Sequence, residues 1–138
     1  MTADDLLTYA QAHGLHIIEC PLPGTLCGLY DDTTRTIYLH DRLNGRQRRC
    51  TLLHELIHAH YHDGPRTGPY GAREEQRTRR LTASTLISLP EYRLAEQIYD
   101  GDVYRMACEL DVTVQVLRDY QALLVEQPAA MTAQRAYA

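Results

Sequence analysis

The sequence predicts an α+β fold: a small antiparallel sheet packed on a histidine-bearing helix, followed by a C-terminal helical bundle. Three observations predict it. Segments of β character, with Ile, Tyr and Thr at alternating positions, are confined to residues 15–40. From residue 45 onward the apolar residues recur at helical spacing, broken only by Gly/Pro or Asp/Gly stretches. The 138 residues, 44% of them hydrophobic, suit one core, and no shift of composition marks a second domain. A single domain over 1–126 and a flexible tail over 127–138, "QPAAMTAQRAYA", are expected.

The elements follow in order. Leu6, Leu7 and Ala10 place a helix over 3–13, with Gly14 set to end it. "LHIIEC" and "LCGLYDD" read as two short strands separated by "PLPGT". "DDTT" at 31–34 is a turn, so 26–40 reads as an antiparallel hairpin whose second strand is "RTIYLH". Asn44 is a good N-cap for a helix over 45–61 with an apolar stripe of Leu52, Leu53, Leu56 and Ile57. "HDGPRTGPYG" at 62–71 holds three Gly and two Pro and reads as a loop. A helix over about 72–88 follows, then helices at 90–99, 102–110 and 112–125, the last capped by Thr113.

Bulk properties exclude several functions. Net charge is −4, and every basic residue is Arg. Acids are mixed among the arginines, which argues against direct nucleic-acid or membrane binding. No apolar run is long enough to span a bilayer, and "MTADDLLTYAQAHG" is acidic and amphipathic, unlike a signal peptide. The four cysteines form no Cys-x-x-Cys pair, so reduced thiols and a cytoplasmic location are expected, with a Cys20–Cys27 disulfide as the alternative.

The chemistry concentrates at "HELIH", residues 54–58. On a helix, i and i+4 share a face, so His54 and His58 can each place a ring nitrogen about 2.0–2.1 Å from one Zn²⁺. Glu55 is turned roughly a quarter of the circle away. There it suits the general base that takes a proton from an activated water and passes it to a leaving amine. The competing readings are a histidine-rich surface helix and a metal site without catalysis. Five-residue patterns also arise by chance, and the amphipathic setting is what raises this one.

A catalytic zinc needs a third protein ligand. Glu74 and Glu75 open the next predicted helix, where acids also suit a helix N-terminus. From Glu75 the same face carries Thr78, Thr82 and Leu86, small enough for close helix packing; from Glu74 the pattern is less clean. His62 is i+4 from His58 but one turn too far along, and His60 lies on the opposite side; both read as surface or loop residues. Asp63 reads as a solvated loop residue or as an acceptor for a histidine N–H.

"LLHELIHAHYH", a loop, and then "EEQRTRRLTASTLISLP" resemble the ImmA/IrrE family of zinc metallopeptidases, gluzincin-like enzymes with HExxH. The family's second helix reads E-x-x-A-x-x-aromatic-A, then Leu-Leu/Ile and often Pro. Here Glu75 falls on the glutamate, Thr78 and Thr82 on the alanines, Leu81 on the aromatic position, and Leu86, Ile87 and Pro90 on the ending. Ile57 stands where Gly is common, and Arg79 where Asn or Asp is usual. The resemblance implies His54, His58 and Glu75 as zinc ligands and Glu55 as general base. It also implies a substrate-binding edge strand, expected at 35–40, and cytosolic cleavage of a regulator. Such regulators are often helix-turn-helix repressors of phages, mobile elements or stress responses.

Several features stand apart from that core. "VYRMACELDVTVQVLRDYQALL", 103–124, has the outline of a helix-turn-helix, but Arg118 is the lone base on its second helix, so a packing or partner-docking role is expected. Arg46, Arg48 and Arg49 form a basic knot. Tyr61, Tyr70 and Tyr92 are candidates to stabilise an oxyanion. The rival function is a non-cleaving anti-repressor or adaptor that binds a regulator with a zinc-stabilised fold. No pattern assigns an oligomeric state.

Overall fold

The computed structural model describes residues 1–65 and 68–127. The chain divides into two compact units, Met1–Thr78 and Arg79–Ala138.

The first unit begins with α1 (Ala3–Ala12), closed by a reciprocal capping box between Thr2 and Asp5. Three strands follow, β1 (His16–Cys20), β2 (Gly28–Asp31) and β3 (Thr36–His40), in the order β1-β3-β2. β2 and β3 form the expected antiparallel hairpin, with Leu29 opposite Tyr38. β1 pairs parallel to β3, with Ile18 opposite Tyr38, so the sheet is mixed rather than antiparallel throughout. The reason lies in "PLPGTLC": this stretch spans seven residues and two prolines, too long for a tight reversal. The chain therefore moves over by a strand's width and leaves a slot that β3 fills.

The same topology corrects one expectation, the edge strand at 35–40, and decides against one alternative, the Cys20–Cys27 disulfide. β3 is the central strand, and the edges are β1 and β2. Ile37 and Leu39 are fully buried, and a central position covers such residues better than an edge does. Cys20 and Cys27 lie on opposite sides of His40, which is in register with Cys20 and donates its N–H to the Cys27 carbonyl. Two strand spacings separate their Cα atoms by about 10 Å, beyond the roughly 7 Å a disulfide can bridge. All four cysteines are free thiols.

α2 (Gly45–His60) starts at Asn44, which forms a capping box with Gln47. Leu52, Leu53 and Leu56 are buried as expected, while Ile57 is half-buried. Glu55 and His58 are buried too. Polar groups buried on a helix must find partners. α3 (Gly68–Leu86) begins four residues earlier than expected. Tyr70 and Gly71 thus belong to a helix rather than a loop. Pro69 is no obstacle, because the first turn of a helix has no use for its missing N–H.

The second unit holds the rest of α3 with α4 (Leu89–Ile98), α5 (Val103–Glu109) and α6 (Val114–Glu126). Ser88, Asp102 and Thr113 cap the last three through their side chains. Pro90 sits in the first turn of α4, where it pre-organises the helix. Met106, Val112, Leu117 and Tyr120 are fully buried. Tyr92 and Tyr120 pack with ring centroids 5.3 Å apart, and the Tyr92 hydroxyl accepts from Gln121. Arg79 forms a two-pronged pair with Asp119. Of the expected tail only Gln127, the C-cap of α6, falls among the described residues. Among these residues no helix is long and apolar enough to cross a membrane.

Candidate metal centre

α2 presents His54 and His58 one turn apart, their ring centroids separated by 5.0 Å. Glu75, on α3, reaches both. Its Oε1 lies 2.8 Å from His54 Nε2 and its Oε2 lies 3.0 Å from His58 Nε2. One donor atom from each residue lies within 4.8 Å of the others. Glu75 is therefore the carboxylate that joins the two histidines. Glu74 is half-buried and outside this cluster. Because α3 starts at Gly68, both glutamates lie in its second and third turns, so helix-end electrostatics does not explain them. Thr78, one turn beyond Glu75, is fully buried, with its Oγ1 3.3 Å from His58 Nδ1.

His62 is not part of the cluster. It takes the left-handed conformation, φ 53, just past the end of α2. Its N–H donates to the Ala59 carbonyl, and the Asp63 N–H donates to the His58 carbonyl. These are the two bonds of a Schellman turn, with histidine in the position that usually favours glycine. The turn reverses the chain so that Asp63 comes back beneath His58.

Asp63 accordingly is no solvated loop residue. Its side chain is 4% exposed, and Oδ2 accepts from His58 Nδ1 at 2.7 Å. Arg77 pairs with the same oxygen and lays its guanidinium 4.0 Å from the Tyr61 ring centroid. A carboxylate can only accept, so the His58 proton sits on Nδ1 and the Nε2 lone pair points at Glu75. Lone pair would then face carboxylate at 3.0 Å. Only a cation between them, a proton or a metal ion, makes that arrangement favourable. Two imidazole nitrogens and one carboxylate, with Glu75 still 35% exposed, form a donor set compatible with a metal ion.

Glu55 points elsewhere, as its position on the helix requires. It is 2% exposed and lies against the start of β2. A Cβ at Gly28 would stand 2.5 Å from Thr51 Cγ2, 3.1 Å from Glu55 Cγ and 3.3 Å from Glu55 Oε1. Gly28 is thus what lets the edge strand approach this glutamate. Sequence reasoning placed Gly28 in a strand and assigned it nothing; its one signal is a glycine inside a β pattern. Tyr61 and Tyr70 are 47% and 77% exposed, each beside an arginine. His60 is exposed and meets the Tyr61 ring edge-on.

A family model, that of the IrrE N-terminal-like peptidase domain, matches residues 10–119. No curated protein and no solved structure matches the chain significantly.

Proposed function

Since the chain belongs to the IrrE N-terminal-like peptidase family, we propose that it is a zinc-dependent endopeptidase that hydrolyses a peptide bond in a cytosolic regulator. The regulator we favour is a helix-turn-helix repressor of a phage, mobile element or stress response. The observation that carries the reading is the meeting of His54, His58 and Glu75, with the buried Glu55 next to His54 along α2. His54, His58 and Glu75 would hold the metal. When bound, zinc supplies Lewis acidity, polarising a carbonyl oxygen and making water reactive near neutral pH. Glu55 is the general base: its carboxylate takes the water proton and returns it to the leaving amine. Asp63 holds the His58 ring in the tautomer that leaves Nε2 free.

The geometry also supports a place for the substrate. β2 is an edge strand, and Gly28 brings its backbone against Glu55. An extended peptide adding to β2 would lay its scissile bond beside that carboxylate. Free thiols, including the exposed Cys27 and Cys108, favour a reducing, cytoplasmic setting.

The test is Glu55→Gln in the full chain, with zinc content measured beside cleavage of casein and of helix-turn-helix repressors. Zinc should stay and cleavage should vanish. Cleavage at the wild-type rate would refute the base assignment. Tight repressor binding without cleavage by the unmodified protein would instead favour the adaptor reading.

A further inference from the structure

Two side chains outside the metal cluster meet at the end of α2. Arg35 closes the β2–β3 turn and His62 follows the C-cap Tyr61. Both sit at φ 53, a conformation L side chains rarely adopt, and neither is glycine. Their contacts show what holds them there. Arg35 Nη1 donates to the Tyr30 hydroxyl at 2.5 Å and to the Ala59 carbonyl at 2.9 Å. The Tyr30 hydroxyl in turn donates to Asp32 Oδ1 at 2.5 Å, and His62 Nδ1 donates to the same oxygen at 3.0 Å. Arg35 Nη1 and His62 Nδ1 stand 3.2 Å apart.

The Ala59 carbonyl is the point of convergence. It receives the His62 N–H at 3.1 Å and the Arg35 guanidinium at 2.9 Å. Each left-handed residue thus supplies one donor to it. That carbonyl closes the Schellman turn whose other bond, Asp63 N–H to the His58 carbonyl, brings the Asp63 carboxylate to His58 Nδ1. The hairpin therefore grips the backbone turn on which the orientation of His58 depends.

We propose that Arg35 and His62 are positioning residues: they latch the β2–β3 turn to the end of α2, hold Asp63 on His58, and so strengthen metal binding. This rests on the reading of His54, His58 and Glu75 as zinc ligands. Neither Arg35 nor His62 touches the metal, and the latch acts only through Asp63.

Zinc affinity of the full chain, measured by competition with a chromophoric chelator, tests this. Arg35→Gly and His62→Gly remove each side chain while suiting φ 53, so the turns persist and the zinc-free protein should unfold within a few degrees of wild type. Asp63→Ala should weaken zinc about 10- to 100-fold, as loss of a histidine's acceptor does, and each glycine variant about three- to tenfold. The decisive variants are Arg35→Gly/Asp63→Ala and His62→Gly/Asp63→Ala. If the latch acts through Asp63, each binds zinc no more weakly than Asp63→Ala alone. Losses that multiply, or wild-type affinity in both glycine variants, would overturn the latch while leaving the ligand assignment standing. Failure of the wild-type chain to bind zinc would overturn the ligand assignment and the latch with it. Should one glycine variant fail to fold, the other carries the same test.

Discussion

His58 donates from Nδ1 to Oδ2 of Asp63 at 2.7 Å, and both side chains are almost wholly withdrawn from solvent. The partner comes from five residues down the chain, beyond the end of the helix that carries the histidine. A buried carboxylate on one ring nitrogen makes the other a better ligand, because the ring is oriented and its electron density raised. Asp63→Asn keeps the shape and loses the charge. It should lower zinc affinity by about tenfold, read by chelator competition, with the fold retained by circular dichroism.

Gly28 and Glu55 form a second such pair across β2 and α2. Gly28→Ala would put a methyl 2.5 Å from Thr51 Cγ2 and 3.1 Å from Glu55 Cγ, so strand or helix must shift. Overpacking of this kind costs about 1–3 kcal/mol of stability, and displacement of a catalytic group by about 1 Å can cost roughly a hundredfold in rate. The expected result is cleavage reduced at least about tenfold with zinc affinity unchanged. Thr51→Ser deletes the opposing methyl, so Gly28→Ala/Thr51→Ser should recover part of the rate. Undiminished cleavage by Gly28→Ala would refute the close-approach argument.

Zinc should stabilise the first unit, where all three proposed ligands lie. A ligand that binds the folded state alone adds about 2.7 kcal/mol at a hundredfold excess over its dissociation constant. Thermal unfolding in the presence of a chelator should therefore begin several degrees lower than with added zinc. His54→Ala and His58→Ala should abolish the difference, whereas Glu74→Ala should leave it unchanged.

Alkaline pH should unfold the protein through its buried tyrosines. Burial is the largest cause that pushes both Tyr30 and Tyr120 up to about 12 from an ordinary 10.0, helped by the neighbouring Asp32 carboxylate for the first and Tyr92 for the second. A phenol whose folded pKa is raised holds its proton more tightly when folded. Its contribution is fully present below pH 10 and is lost as pH climbs from there toward about 12. Denaturant titrations should show midpoints falling across that window, and Tyr120→Phe should flatten the slope.

The local features could be read directly from the residues. The i, i+4 histidines, the caps at Asn44 and Thr113 and the β2–β3 hairpin depend on near neighbours, and each appears where the sequence places it. The HExxH motif is of the same kind, since helical geometry alone puts His54 and His58 on one face. The start of α3 was misjudged because Gly and Pro at 68–71 suit a loop and a helical first turn equally well.

What tertiary structure decided are the relations between segments distant in sequence. Glu74 and Glu75 have the same chemistry and adjacent places; only the register of α3 against α2 turns Glu75 toward both histidines. Asp63 looked like a loop residue until the Schellman turn carried it back under His58. Strand order was likewise decided by packing: 35–40 was expected at an edge, a seven-residue connection allows either edge, and burial of Ile37 and Leu39 put β3 in the middle. The sequence determined which groups are able to bind a metal and move a proton. Packing determined which of them meet, because side chains seventeen or more residues apart are brought within 3.0 Å by the contact of whole elements rather than by any local preference.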